Sequence, residues 1–223
     1  MNKNTEKISS LFDVWAGKPR GESMAKGHDE LVLDIYGGWD FNNVESVLDL
    51  GCGNGRALGM AKERGARNIS GLDLSENMVK TASKNLPNGD FKRGSIEELP
   101  FADNSFSHII SIEALYYVGD LKRAFSEIAR VLKPGGKFAM AIDYYLENIG
   151  SHVWEDCLGF DIHLLSGSQW LELVSNAGIK GVEQSRIRRK EFKSEEDFEA
   201  SNFFPSYKLY RQYQEAGALK LSN

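Results

Sequence analysis

The sequence predicts an α/β fold: a doubly wound, mostly parallel, seven-stranded sheet with helices on both faces and a helical lead-in at the N-terminus. Three observations predict it. Short apolar runs at 46–50, 68–72, 90–94, 106–112 and 137–142 alternate with helical patterns, the rhythm of repeated βαβ units. The first run ends in glycines at alternate positions, Gly51, Gly53 and Gly55, and helix formers follow from Arg56. The 106–112 run is apolar enough for burial on both faces, as a central parallel strand requires.

Taken in order, 5–15 carries Ile8, Leu11, Phe12 and Trp15 at helical spacing, and Gly17 and Pro19 break it. A second helix is expected over 22–36, with Leu31, Val32 and Ile35 on one face and Gly37–Gly38 at its end. The core begins at Val44. Its first strand, 46–50, leads through the glycines to a helix over 54–64. Glycine allows positive φ and lets a ligand approach bare backbone. The helix start offers unpaired N–H groups to a carboxylate or phosphate.

The second strand, 68–72, ends at Asp73, 18 residues past Gly55, where an acid can accept hydrogen bonds from ribose hydroxyls. Asp49 sits inside the first strand end, and a buried acid there is costly unless hydrogen-bonded. The pattern reads as a nucleoside site, and two cofactors suit it: a dinucleotide or S-adenosylmethionine.

Ser75 is the expected cap of a helix running to about Asn85 and stopping before Pro87. A strand over 90–94 leads into Ser95, Ile96 and Glu97. After the fourth strand, Ser111, Ile112, Glu113 and Ala114 form a loop at its carboxyl end, where ligands bind in such sheets. Asp120 is the expected cap of a helix over 121–132 that Lys133-Pro134-Gly135-Gly136 terminates before the strand at 137–142. Beyond Asp143 the expectations are a helix over 166–178 capped by Ser168, a strand over 181–189, a helical 194–214 interrupted by Pro205, and a last strand over 218–221. The basic residues from Arg186 to Lys190 are read as a solvated strand end.

The runs D-L-G-C-G-N-G, G-L-D-L-S, S-I-E-E-L-P-F and L-K-P-G-G-K, in that order over about 44–143, resemble the successive motifs of the class I S-adenosylmethionine-dependent methyltransferases. The branch they are most similar to is the type 11 group, which methylates small molecules. The resemblance implies a Rossmann-like single domain over 1–223, with 1–43 as a lead-in or lid, 44–143 as the cofactor core and 144–223 as the substrate-side half.

It also implies site residues. Asp49 would hold the methionine end of the cofactor, with Gly51, Cys52 and Gly53 presenting backbone to it. Asp73 would hold the ribose, and Leu74 and Met78 would flank the adenine. Ser95, Ile96 and Glu97 form the adenine loop; the family usually has Asp where this chain has Ser95, and a hydroxyl accepts less strongly than a carboxylate. Ser111 completes the set. Trp15, Lys18, Arg20, Met24 and His28 are what a closing lead-in would offer.

Methyl transfer is an in-line displacement in which the enzyme mainly aligns donor and acceptor. A base is needed only where the acceptor must lose a proton. Glu113, His152 and Tyr116 are the candidates for such a role, with His28 and His163 beside them and His108 read as packing. Tyr117, Tyr144, Tyr145 and Trp154 join Tyr116 as aromatics that either stack a flat acceptor or pack.

Composition bounds the rest. Hydrophobic content of 41% and charged content of 26% are ordinary for a globular protein. The formal charge of −5 argues against a nucleic-acid substrate that needs broad phosphate contact. No apolar run reaches the roughly 20 residues of a membrane helix, and 1–10 lacks the apolar stretch of a signal peptide. Two cysteines, Cys52 and Cys157, make neither a disulfide framework nor a zinc spacing. The expectation is a cytoplasmic monomer or homodimer with no metal, no nucleic acid and no membrane partner. Two other functions compete: a non-catalytic S-adenosylmethionine-binding regulator, and an NAD-dependent oxidoreductase, whose fingerprint G-x-G-x-x-G differs from G-x-G-x-G here.

Overall fold

In the computed structural model, residues 3–190 and 192–223 are described. The Arg20 side chain, offered above for the lead-in, lies outside the described set.

Strands β1 (Ser46–Leu50), β2 (Asn68–Asp73), β3 (Asp90–Arg93), β4 (Phe106–Ile112), β5 (Leu132–Ile142), β6 (Glu183–Ile187) and β7 (Ala218–Ser222) form one sheet in the order β3-β2-β1-β4-β5-β7-β6. The first five pair in parallel, and β7 runs antiparallel between β5 and β6. Strand order reverses between β1 and β4, so a crevice opens there at the carboxyl ends of the strands.

Alternation along the strands divides the core. Leu48, Leu50, Phe138, Met140 and Ile142 face one side, against Phe125 and Ile128 of α6 (Leu121–Val131) and, beyond the short α7 (Trp154–Leu158), Trp170 and Val174 of α8 (Gly167–Asn176). Val47, Ile69, Ala139 and Ala141 face the other, with Leu58 and Ala61 of α4 (Arg56–Glu63) and Leu31, Val32 and Ile35 of α3 (Asp29–Gly37). Large residues alternate with alanine along β5, which leaves the second face shallow enough for the lead-in to reach the sheet. Asp49, on β1 between Leu48 and Leu50, falls on that face by the same period of two.

α5 (Glu76–Asn85) lies beside α4, with Ala82 and Leu86 close over Gly55. Ser75 and Asp120 cap α5 and α6 as expected, accepting from Met78 N–H and Arg123 N–H.

Several boundaries differ from expectation. The 22–36 helix is two helices, α2 (Pro19–Gly27) and α3, because Gly27 is a poor helix former and His28 sits at φ −95, ψ 0. Pro19 opens α2 in its first turn, where no N–H is missed. α4 starts at Arg56, since Gly55 at φ 83 is its cap. The cap of α8 is Ser166, not Ser168: Ser166 and Gln169 make a reciprocal capping box. The helix expected over 194–214 is only α9 (Tyr207–Ala216), starting after Pro205 with Ser206 as cap. The Lys133–Gly136 run lies within β5 as an irregularity in its pairing with β4.

α1 (Lys3–Trp15) packs on α5. The Asp13 carboxylate accepts from the Ser75 hydroxyl at 2.5 Å and from Asn77 N–H at 3.1 Å, and Ser9 donates to the Leu74 carbonyl at 3.1 Å. The Arg56 guanidinium pairs with Asp29 at 2.5 Å, joining α4 to α3. These contacts tie the lead-in to the start of α5 and to α4.

Candidate active site

A cavity of about 370 Å³ fills the crevice. Its inner end is made by the β1–α4 turn. Gly51 has φ +80, and a Cβ there would come within 2.3 Å of the Ala114 Cβ. Gly53 has φ +51 and would place a Cβ in open space. The turn therefore presents bare backbone to the cavity, and no protein atom stands in the way of a side chain at Gly53.

Asp73, at the tip of β2, fixes this turn. One carboxylate oxygen accepts the Gly53 N–H at 2.9 Å, and the other accepts the Ser75 N–H at 2.9 Å. Each oxygen keeps a further lone pair for a ligand hydroxyl. Burial pushes the Asp73 carboxyl up, against those backbone bonds. Burial also pushes Asp49 up, to about 7, with the charge of Asp73 adding to it. Two acids in one cavity, Asp49 buried and Asp73 half-buried, beside a bare glycine backbone, suit a ligand with hydroxyls near one and positive charge near the other. S-adenosylmethionine has that distribution, so the residues fit the cofactor.

Leu74, Met78, Ser95, Ile96, Glu97 and Cys52 also line the cavity. The Ser95 hydroxyl accepts the Glu97 N–H at 3.2 Å, and the Glu97 carboxylate accepts the Asp120 N–H at 2.9 Å. The loop is thus braced by its own side chains. Cys52 packs against Gly71, where a Cβ would lie 2.7 Å from its sulfur.

Ser111 is not among the lining residues: its hydroxyl donates to the Leu50 carbonyl at 2.9 Å and joins β4 to β1. Of the lead-in candidates, Trp15, Met24 and His28 line the cavity, and Lys18 does not. Burial lowers the His28 pKa to about 4, so the ring is uncharged at neutral pH.

The other end of the cavity belongs to 113–117 and the chain beyond Asp143. Glu113 takes φ +54, and its carboxyl accepts the Tyr116 hydroxyl at 2.8 Å and the Asp143 N–H. Burial, then the charge of Asp143, pushes its pKa well above the carboxylate range. Asp143 takes the Tyr213 hydroxyl at 2.6 Å and the Arg189 guanidinium on one oxygen, Oδ2. Its Oδ1 is buried and has no partner among the described residues.

Tyr116, Tyr117 and Trp154 line the cavity, as Phe203, Phe204 and Tyr213 do. Tyr144 and Tyr145 are in the core instead. His152 and His163 lie outside the lining, their Nε2 atoms held by the carbonyls of Leu146 at 3.0 Å and Val118 at 2.7 Å. His108 packs on Trp39 at the opposite end of the sheet, with ring centroids 4.6 Å apart.

Sequence reasoning missed Asp143, Arg189 and Tyr213. One signal was present: Asp143 ends an apolar strand, as Asp49 and Asp73 nearly do. The 186–190 cluster is not a solvated strand end throughout, since the Arg189 side chain is only 10% exposed.

Comparison with known proteins places this geometry. Residues 48–140 match the family described as a methyltransferase domain. A solved chain from a complex between the Haloferax volcanii Trm112 methyltransferase activator and a chain assigned as a methyltransferase is 31% identical; the match covers 95% of this chain and 96% of that one, with a TM-score of 0.83. Methyltransferase GfsG of Streptomyces halstedii is 31% identical over 58% of this chain and 49% of its own length. Demethylmenaquinone methyltransferase of Renibacterium salmoninarum is 31% identical over 63% of this chain and 60% of its own length. The chain thus spans about half of these two curated relatives.

Proposed function

The chain belongs to the class I S-adenosylmethionine-dependent methyltransferases, and on that footing we propose that it transfers a methyl group to a small-molecule acceptor by in-line displacement. The observation that carries this reading is one cavity with two chemically distinct ends. Bare glycine backbone and two acids form one end, and an aromatic-walled polar cluster forms the other. When bound, S-adenosylmethionine supplies a methyl group already activated by the positive charge on sulfur.

The residues then have these roles. Gly51 and Gly53 lay backbone against the amino-acid tail, and Asp49 faces its ammonium. Asp73 holds the ribose hydroxyls while keeping the Gly53 N–H in place. Leu74, Met78 and Ile96 enclose the adenine, with Ser95 and Glu97 bracing the loop. Alignment of donor and acceptor supplies the larger part of the rate enhancement. Glu113 and Tyr116, hydrogen-bonded to each other, orient the acceptor. The lead-in over 1–43 excludes water from the cavity, 44–143 binds cofactor, and 144–223 selects the acceptor.

Methyl-labelled S-adenosylmethionine offered with a panel of small acceptors tests this. Label is expected in an acceptor, with S-adenosylhomocysteine released in equal amount. Binding of the cofactor with no release across the panel would make the protein a sensor rather than an enzyme.

A second reading concerns partners. The solved chain that this one matches over 96% of its length is in a complex with the Haloferax volcanii Trm112 methyltransferase activator, and we propose an activator of that type as a partner here. Co-expression with such a protein, followed by size-exclusion chromatography, is expected to give a stable pair; two separate peaks would reject it.

A further inference from the structure

Within the proposed reading of this cavity, the acceptor end is specific enough to name a ligand class. We infer that Asp143 Oδ1 receives a hydroxyl or N–H of the methyl acceptor, and that the acceptor is flat and uncharged.

The first part rests on hydrogen-bond bookkeeping. Asp143 is 1% exposed and lines the cavity. Tyr213 and Arg189 both engage Oδ2, which leaves Oδ1 without a partner among the described residues. A buried carboxylate oxygen with no donor is costly. A donor supplied by a ligand in the same cavity removes that cost. The indole N–H of Trp154, another lining side chain, is likewise buried and unpartnered. A hydroxyl or amine nitrogen can satisfy an acceptor and a donor together.

The second part rests on charge and wall chemistry. The guanidinium of Arg189 already balances Asp143. Burial and its neighbour favour the protonated form of Glu113, and burial keeps His28 neutral. Asp143, Arg189, Glu113 and His28 therefore sum to zero charge, the other lining pair, Asp29 and Arg56, neutralises itself, and a charged ligand at Asp143 would be desolvated with no free counterion among them. Trp154, Phe203, Phe204 and Tyr213 present aromatic surface next to this point, with Trp154 and Tyr213 centroids 5.5 Å apart and Phe204 and Tyr213 centroids 4.8 Å apart. Such walls favour a planar body over a branched or hydrated one.

Calorimetry on protein saturated with S-adenosylhomocysteine tests the inference with four probes on one ring system. They are 2-naphthol, 2-methoxynaphthalene, 2-naphthoate and (2-naphthyl)methylammonium. Naphthol is expected to bind about tenfold or more tighter than its methyl ether, and tighter than either ion. Asp143→Asn is expected to reduce the naphthol-to-ether ratio to about threefold or less. The probe series on unaltered protein decides the matter even where that variant does not fold. Equal affinity for naphthol and ether, tighter binding of either ion, or no heat from naphthol overturns the inference. The initial titration with S-adenosylhomocysteine is read separately: its failure rejects the functional reading, and its success with a flat probe series rejects only this one.

Discussion

The Gly53 N–H donates to the Asp73 carboxylate at 2.9 Å, across 20 residues of sequence. The carboxylate that is to hold a sugar therefore also sets the backbone that is to hold the amino-acid tail. Asp73→Asn separates the two roles poorly, and that is informative. Gly53 and Ser75 both offer N–H groups to this side chain, and an amide can accept only on its oxygen. One N–H is left facing a donor, at about 1–3 kcal/mol. The variant is expected to melt at a lower temperature and to bind S-adenosylhomocysteine at least about tenfold more weakly, as calorimetry would show.

The two glycines of the turn should respond differently to alanine. At Gly51 the new Cβ would lie 2.3 Å from the Ala114 Cβ, in a backbone region that alanine disfavours. Gly51→Ala is expected to destabilise the fold by about 2 kcal/mol or more. At Gly53 the Cβ would meet no protein atom within 4 Å. Gly53→Ala is expected to cost only about 1–2 kcal/mol of backbone strain while occupying ligand space. Denaturant melts with parallel binding titrations would show stability lost in the first and affinity lost in the second.

Asp49 makes both stability and binding depend on pH. Its pKa rises from 3.8 to about 7, chiefly through burial. Between those values the folded protein holds a proton that the unfolded chain has released. Stability therefore falls as pH rises through this window, by an amount on the order of 4 kcal/mol when complete. Asp49→Asn is expected to raise the melting temperature of ligand-free protein at about pH 8 and to leave it unchanged near pH 4. A ligand ammonium favours the ionised carboxylate, so affinity for S-adenosylhomocysteine should weaken about tenfold per pH unit below 7. The Asp49→Asn titration should be flat across the same range.

Arg189 and Asp143 form a pair whose side chains are 10% and 2% exposed. Arg189→Met keeps much of the volume and leaves a buried carboxylate without its counterion. A loss of about 3–5 kcal/mol is expected in urea unfolding. Adding Asp143→Asn to that variant should restore part of it, because the stranded charge is then gone.

Local signals account for what was legible in the sequence. Short apolar runs bounded by turn residues gave β1 and β4 to the residue, the alternate glycines gave the turn, and Ser75 and Asp120 marked two helix starts. The cofactor end is built from residues that lie at or just beyond strand tips: the turn glycines, Asp49 and Asp73 were nominated by their places along the chain, and the others by the resemblance to the methyltransferase motifs. Ser111 shows the limit of that rule, because its hydroxyl is taken by the neighbouring strand. At the acceptor end Glu113, Tyr116, Tyr117 and Trp154 were named from sequence, but the cluster around Asp143 was not. Asp143 meets Arg189 across 46 residues and Tyr213 across 70, and both contacts depend on β7 entering antiparallel between β5 and β6. No local pattern encodes that insertion. The break at His28 was missed because the apolar stripe of Leu31, Val32 and Ile35 lies wholly within α3, and the only local sign of an interruption before it is Gly27.

Titration of S-adenosylhomocysteine into folded, cofactor-stripped protein is the most direct measurement of the central claim. The account predicts saturable heat from one site per chain, weakened at least about tenfold by Gly53→Ala although that variant still folds. Absence of binding to protein shown to be folded, or equal binding in the variant, would contradict it.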